Sequence, residues 1–533
     1  MKKPITFLSF LTISILLYLP TRHAGFVHDA VSWMMQYDKY SFWEGLKVMF
    51  GDKSLHPVYH ILNFSLYKIF GINSLAWFFV AMFLHASVAH LGYCFFSRYL
   101  ENKVFVFFGC LLFLISPYQT EAVVWKATLH YLVAAFCILK TLNFYLDYEE
   151  NGQKTDVAKA LFYFVIGLLS LEIGLISPVL LGILILGSTK TWSEKINTFS
   201  RFVLPQMLIV VLFFVATKLF TGGWIGHYGA SIHLNFSPDI LVPNLLKHSL
   251  KLITFGQYNL SLGQKETVFA CFQQKYIVYG VLFSLLILAF LFIYKSLKNE
   301  NIKILVLLFV ALTSILPVLN LFFYYVTPIL SDRFSYLYSL FFLVGFTYLL
   351  RKINRFVAYL SIFVLLFFSV KYLLPNVKAW QLNDYWVRSL MKDFRWNDNR
   401  AVYILNCFDN NGGAMAFHTE KEGDSSVREF LEVYRKDVIT KGHFEQLYMY
   451  NTHNEADTLR FHGNIDSTTF KLVIPDDTWF WKSTGVEVKP ISKPNFETQI
   501  DEWGVGLSLK IKNKDPNAVY IYQQGDKWRE VKF

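Results

Sequence analysis

Long apolar runs recur in this 533-residue chain from the N-terminus to about Leu374. A membrane-spanning helix needs about 20 mostly apolar residues, and somewhat fewer where it is buried among other helices. The chain is also 54% hydrophobic and only 17% charged, which is too apolar for an ordinary soluble domain. We therefore expect a polytopic α-helical membrane protein. On this criterion the sequence predicts about eleven transmembrane helices: 5–20, 74–97, 103–116, 129–147, 159–173, 174–188, 202–220, 276–296, 302–321, 334–350 and 355–374.

The last part of the chain has the mixed, alternating character of a water-soluble fold. Four short β-like runs, AVYILNCF, TTFKLVIP, GVGLSLKIKN and AVYIYQQ, surround one predicted helix, SVREFLEVYRKDV. The sequence thus predicts a transmembrane domain over 1–374, a connector helix region over 375–400, and a soluble α+β or mostly β domain of unknown role over 401–533.

Basic residues fix the predicted orientation. If the N-terminus is cytoplasmic, every short inside connection carries Lys or Arg, as the positive-inside rule demands. The C-terminal domain then lies outside the cytoplasm, and the short Lys-rich turns favour a bacterial inner membrane with that domain in the periplasm. The net charge of +11 is on this interpretation an insertion signal. No motif that reads bases is present, so no nucleic-acid partner is expected.

Three predicted outside loops carry acids and bases close to the membrane surface. Ionisable groups beside apolar spans are costly unless they pair or serve a site, so these groups are candidates for function. The first loop also has two amphipathic stretches, 40–50 and 56–71, which are typical of interfacial helices. The candidates are His28 and Asp29 in the first loop, Glu121 and Lys126 in the second, and Asp332, Arg333 and Tyr336 before the tenth span.

Metal binding has little support from the sequence. His56 and His60 lie four residues apart, a spacing that can share one helix face, but no third ligand accompanies them. No metal site is predicted and no cofactor is certain, because a divalent metal is possible but the spacing of candidate ligands in the sequence does not support one. Glu172, between the fifth and sixth spans and on the predicted outer side, is a weaker candidate for function.

Four motifs occur in a characteristic order: HDAVSW, then HPVYHILNFSLYKIFG, then SPYQTEAVVW, then SDRFSYLYS. In this order and spacing, residues 1–400 resemble the membrane region of GT-C integral-membrane glycosyltransferases. They are most similar to the transmembrane and tetratricopeptide-repeat O-mannosyltransferases and their bacterial relatives. Two positions depart from that pattern: His28 stands where the family has the first of two adjacent acids, and His56 stands where it has Arg. Tetratricopeptide repeats are absent from the sequence.

The resemblance implies transfer of a sugar from a polyprenyl-phosphate-linked donor to a hydroxyl of a protein, lipid or glycan, with inversion, on the non-cytoplasmic face. It implies Asp29 as the base for the acceptor proton and Glu121 as a second acid or an acceptor-orienting group. Arg333 would bind the leaving phosphate, because a guanidinium can fork onto phosphate oxygens. The remaining candidates for substrate or phosphate binding are Asp332, Tyr336, Lys126, His56 and His28.

Other interpretations of the same residues stay open. Asp29 could cap a helix or anchor the segment at the membrane interface, and Glu121 could be an acid in the first turn of a helix. Asp332 could simply pair with Arg333 at the start of a helix. A transporter or flippase for a lipid-linked or small polar substrate is the alternative function, although charges at mid-membrane and an internal repeat, both expected of a transporter, are not evident. A membrane scaffold for the C-terminal domain is a third interpretation.

Overall fold

The computed structural model describes residues 3–51, 55–224, 236–298, 302–321, 329–396, 399–417, 426–435, 443–452, 459–475, 478–482 and 489–533. The chain divides into two compact units. The helical unit comprises Met1–Leu19, Ser41–Val124 and Thr128–Pro375. The sheet unit comprises Pro20–Tyr40, Trp125–Ala127 and Asn376–Phe533. Two short segments from early in the sequence therefore belong to the C-terminal unit, which the sequence did not predict.

Helices dominate the chain as far as Asp393. They are α1 Lys3–Tyr18, α2 Asp29–Lys39, α3 Phe42–Gly51, α4 Pro57–Phe70, α5 Ser74–Tyr99, α6 Lys103–Leu114, α7 Thr120–Val124, α8 Leu129–Asn151, α9 Lys154–Leu168, α10 Ser177–Leu186, α11 Trp192–Thr221, α12 Pro238–Thr254, α13 Gly256–Asn259, α14 Leu262–Phe272, α15 Lys275–Leu297, α16 Lys303–Ile315, α17 Tyr336–Leu350 and α18 Arg355–Asp393. The two predicted amphipathic stretches form α3 and α4. Helix α18 continues past the predicted domain boundary at residue 374.

Each of the eleven predicted spans overlaps a helix, but not all of these helices are long. Among the described residues, seven helices are long and apolar enough to cross a membrane, or eight if the bent pair Lys103–Leu114 and Pro117–Val124 is one span. Two of the other three predicted spans are shorter apolar helices, Glu172–Leu186 and Lys303–Val318, and the third corresponds to the 15-residue helix Lys154–Leu168. The predicted count of about eleven is therefore not confirmed.

Small residues let the helices of the helical unit pack closely. A Cβ added at Gly109 of α6 would lie only 2.6 Å from the Cα of Val344 in α17, so only glycine permits this approach. Helix α15 is the opposite case, since only 11% of its most apolar 18-residue window is buried. A large exposed apolar surface of this kind is typical of contact with a membrane or a partner.

Two β-sheets form most of the sheet unit. The strands are β1 Ala401–Asn411, β2 Ala414–Met415, β3 Phe444–Thr452, β4 Phe461–Asn464, β5 Thr469–Val473, β6 Phe480–Lys482, β7 Phe496–Ile500, β8 Gly506–Ile511, β9 Ala518–Gln524 and β10 Lys527–Glu530, with helix α19 at Ser426–Tyr434. The first sheet has the order β10-β9-β1-β3-β6, in which β1 is parallel to both neighbours; β2 pairs with β1 as well. The second sheet, β4-β5-β8-β7, is antiparallel throughout. The four predicted strands and the C-terminal sheet domain are confirmed, and the predicted helix is confirmed as far as Tyr434; the last three residues of that prediction, 436–438, lie outside the described residues.

Candidate functional site

Glu121 and Arg333, predicted in separate loops, meet inside the helical unit. Glu121 is the second residue of the short helix α7 and is fully buried. Its Oε1 accepts a hydrogen bond from Nη1 of Arg333, and its Oε2 accepts one from the Arg333 backbone N–H at 2.8 Å. A buried carboxylate with a guanidinium and backbone donors is well satisfied. The contact joins residues 212 positions apart in the sequence.

The loop that carries Arg333 has an unusual backbone. Ile329 and Ser331 have positive φ angles of 69° and 67°, a region that side chains other than glycine rarely adopt. Oε1 of Glu121 also lies 3.3 Å from the backbone N–H of Ser331, which donates to it. Glu121 thus holds both the backbone and the side chain of this loop. This geometry favours a positioning role for Glu121.

A second buried ion pair lies beside the first. Nζ of Lys251, on α12, donates to Oδ1 of Asp332 at 2.7 Å, and both side chains are fully buried. Burial lowers the pKa of Lys251, while the charges of Asp332 and Glu121 oppose that shift. Asp332 therefore pairs with Lys251 in the structure. Lys251 was not among the residues predicted from the sequence, because α12 falls in a loop predicted to lie outside the membrane.

Lys247 lies one helical turn before Lys251 and is also buried. Its Nζ is 3.4 Å from the centre of the Phe269 ring, a cation–π contact. Desolvation lowers the pKa of Lys247 to about 8. Lys247 and Lys251 are four residues apart and therefore lie on the same face of α12. This spacing was the signal in the sequence that could have identified the pair.

His56 and Glu172 form a separate polar contact in the helical unit. Nε2 of His56, just before α4, lies 2.6 Å from Oε2 of Glu172. The ring of His130 stacks on that of His56 with 6.3 Å between ring centres. His60, which lies four residues after His56, is buried, and desolvation lowers its pKa. The structure thus joins two candidates that the sequence had identified independently.

Tyr336 lies in the core of the helical unit. Its hydroxyl is 2.8 Å from Nδ1 of the buried His85, whose Nε2 lies 3.0 Å from the carbonyl oxygen of Leu114. Only 1% of Tyr336 is exposed. The neighbouring Glu121 and Asp332 pairs do not include this hydroxyl.

Asp29 is the first residue of helix α2 in the sheet unit, and 43% of its side-chain surface is exposed. Its Oδ1 lies 2.7 Å from Nδ1 of His28. His28 has a φ angle of 54°, which is strained for any residue other than glycine. Its backbone N–H donates to the carbonyl oxygen of Ala416, and its ring makes an edge contact with Trp125. The strained residue thus directly precedes the predicted base.

Asp384 and Tyr434, which the sequence analysis did not identify, hold the segment before Asp29. The Gly25 N–H donates to Oδ1 of Asp384 at 2.8 Å, and the Phe26 N–H donates to the Tyr434 hydroxyl at 2.6 Å. Burial raises the pKa of Tyr434. A Cβ at Gly25 would collide with that hydroxyl, so the segment requires glycine there. The predicted phosphate ligand Lys126 is buried and electrostatically attracted to Asp384.

The candidates therefore belong to both units. Within the described ranges, no group of three or more His, Cys, Asp or Glu side chains could hold a metal ion. Glu121, Asp332, Arg333, Tyr336, His56 and Glu172 lie in the helical unit, and His28, Asp29 and Lys126 lie in the sheet unit.

No model of a protein family matches this chain, and no curated protein sequence is significantly similar to it.

Proposed function

We propose that this chain is a GT-C-type glycosyltransferase that moves a sugar from a polyprenyl-phosphate-linked donor to a hydroxyl-bearing acceptor, a protein, lipid or glycan. The observation that supports the proposal is the polar centre of the helical unit, which consists of the ion pairs Glu121–Arg333 and Lys251–Asp332. Two motifs of the GT-C resemblance, SPYQTEAVVW and SDRFSYLYS, contribute Glu121 and Arg333 to the same ion pair. The packing of apolar helices does not by itself require this ion pair. The contact therefore supports a common function for the two motifs.

In this proposal Asp29 takes the acceptor proton and Arg333 binds the donor phosphate. A carboxylate that keeps 43% of its side-chain surface exposed can reach an acceptor hydroxyl. The Arg333 side chain is 15% exposed, and its orientation is fixed by Glu121. A guanidinium fixed in this way is suited to stabilise charge on a leaving phosphate. The reaction forms the bond from the acceptor oxygen to the anomeric carbon and breaks the bond to the phosphate oxygen.

The proposal also includes insertion in a bacterial inner membrane with about eleven spans, a cytoplasmic N-terminus and a periplasmic C-terminal domain. The apolar surface of α15 supports insertion. Helices α9, α10 and α16 are short for spans, and crossing would require them to be buried among neighbours. Labelling of single cysteines at residues 154, 190 and 298 from each side of a sealed vesicle tests this topology. All three should react from the cytoplasmic side.

Activity is tested with the full chain purified in detergent and a panel of polyprenyl-phosphate sugars, with membrane extract as acceptor source. Mass spectrometry measures loss of sugar from each donor. Asp29→Asn should lower turnover at least about a hundredfold, because general base catalysis contributes on that order. Asp38→Asn, an exposed acid on the same helix α2, is the matched control and should leave turnover unchanged.

Equal turnover in wild type and a folded Asp29→Asn would remove Asp29 from the mechanism. Absence of turnover with every donor would contradict the glycosyltransferase proposal. Flux of a lipid-linked sugar across proteoliposomes in that case would support the transporter alternative.

A further inference from the structure

A cleft in the sheet unit lies outside the residues discussed so far for catalysis. Its volume is about 310 Å³, at the lower end of the roughly 300–1,000 Å³ typical of small-molecule sites. One wall is the segment Pro20–Ala24, which directly follows the first apolar helix. The other wall is one face of α18, because its lining residues recur at helical spacing: Gln381, Asp384, Tyr385, Arg388, Ser389 and Lys392.

The lining of the cleft is strongly cationic. Arg22, Arg388 and Lys392 are basic residues, and His23 adds an imidazole ring. Asp384 is the single carboxylate among the described residues that line the cleft. Three basic side chains and one carboxylate thus give the lining a net charge of about +2.

Asp384 is already engaged by other donors. Both of its carboxylate oxygens accept from Nε of Arg388, at 2.9 and 3.0 Å, and Oδ1 accepts from the Gly25 N–H. Nη2 of Arg388 donates to the carbonyl oxygen of His23 at 2.7 Å. These bonds fix the Arg388 guanidinium before any ligand arrives. At the rim, the Tyr385 hydroxyl donates to Asp526, which turns that acid toward Tyr385.

We propose that this cleft binds a phosphoryl group carrying about two negative charges, such as a phosphate monoester or a diphosphate. Two guanidinium groups and an ammonium group match the tetrahedral oxygens of such a group, and a single carboxylate ligand would neutralise only half of the excess charge. The volume leaves room for a small group esterified to the phosphate. Arg333 is not among the described residues that line the cleft. The phosphoryl group could be soluble or could belong to a lipid headgroup.

Calorimetric titration of the full chain in detergent at low salt tests the proposal, with inorganic phosphate and pyrophosphate as probes. Lys392→Gln, an exposed residue of the cleft, should weaken pyrophosphate binding about tenfold, the value of one charge-assisted hydrogen bond. Lys514→Gln removes the same charge from an exposed position of the same unit outside the cleft, and should leave binding unchanged. Arg22→Gln provides a second variant.

A parallel experiment distinguishes the source of the phosphoryl group. The chain is placed in phosphatidylcholine nanodiscs with or without phosphatidic acid, and native mass spectrometry counts retained phosphatidic acid. Pyrophosphate binding that responds to Lys392→Gln supports the site with a soluble ligand. Retention of phosphatidic acid alone, with the same response, supports it with a lipid ligand. Absence of both, or equal binding by Lys392→Gln and wild type, would overturn the proposal. The readout is binding and not sugar transfer, so the outcome does not depend on the proposed glycosyltransferase activity.

Discussion

The candidate residues of the helical unit and those of the sheet unit differ in their burial. Glu121, Asp332 and Lys251 are fully buried, and each makes charged hydrogen bonds. Asp29 keeps 43% of its side-chain surface exposed and follows a strained residue, His28. The stability of the fold depends on the pairing of the three buried residues, whereas the Asp29 carboxylate is exposed to solvent.

This contrast determines what a substitution can reveal. Removing one partner of a buried ion pair leaves an uncompensated charge, so a loss of activity at Glu121 or Lys251 could reflect unfolding. Asp29 can change with little effect on the fold, because exposed positions usually tolerate substitution. Asp29 is therefore the cleaner probe of chemistry, and the buried pairs are the cleaner probes of stability.

The largest expected effect is on the buried pair of the helical unit. Lys251→Met should lower the free energy of unfolding by about 3–5 kcal/mol, because Asp332 would stay buried without its cation. Adding Asp332→Leu should restore most of the loss, since apolar side chains can replace a buried pair at little cost. Denaturant unfolding in mixed micelles measures both.

Asp29→Asn in the sheet unit is the comparison, with an expected change below about 0.5 kcal/mol. Equal losses for Lys251→Met and Asp29→Asn would abolish the distinction between the two regions.

The next effect concerns the segment that leads to Asp29. Gly25→Ala should cost about 1–3 kcal/mol, because the new Cβ would collide with the Tyr434 hydroxyl and lie 3.1 Å from Oδ1 of Asp384. Thermal unfolding of the variant measures the loss. In the double variant with Tyr434→Phe the colliding oxygen is gone, so the two losses should be less than additive. Additive losses would mean that the close contact does not constrain Gly25.

A smaller effect of opposite sign is expected at His28. His28→Gly should stabilise the sheet unit by about 1 kcal/mol, because glycine adopts a φ of 54° without strain. The same substitution at His462, in strand β4, should destabilise the protein, since glycine weakens a strand. Paired melting curves decide the matter, and a loss of stability at both positions would show that the His28 side-chain contacts outweigh the backbone strain.

The smallest effect is a pH dependence of the helical unit. The pKa of Lys247 is lowered from 10.5 to about 8, so the unfolded chain binds more protons between these values and stability rises with pH there. Lys247→Met should be more stable than wild type at pH 7, and the difference in unfolding free energy should narrow as the pH rises to 9.5. Tyrosines ionise above that limit. Lys514→Met, at an exposed site, should show a constant gap; a constant gap for Lys247→Met would contradict the shift.

The sequence predicted which segments are helical better than it predicted how the polar residues of those segments meet. Apolar runs of about span length identify helices because backbone polar groups must be satisfied internally. The partner of Glu121 lies 212 residues away, and no local pattern specifies such a contact. His56 and Glu172 likewise stood out as separate polar residues in apolar surroundings.

The missed residues share a physical reason. Gly25 and Asp384 matter through one backbone hydrogen bond, and Lys251 through a partner on another helix. Strand order in the sheet unit was also beyond prediction, because β1 pairs in parallel with both β3 and β9, which are distant in sequence. Local alternation identifies a strand but not its neighbours.

The ion pair of Glu121 with Arg333 also has a consequence for biosynthesis. At about 5–20 residues per second, a ribosome needs roughly 10–40 s to make the chain between the two. During that interval Glu121 has been synthesised, but its cation does not yet exist. A nascent chain that ends before Arg333 therefore cannot form this ion pair, and the pair must form after Arg333 has been synthesised.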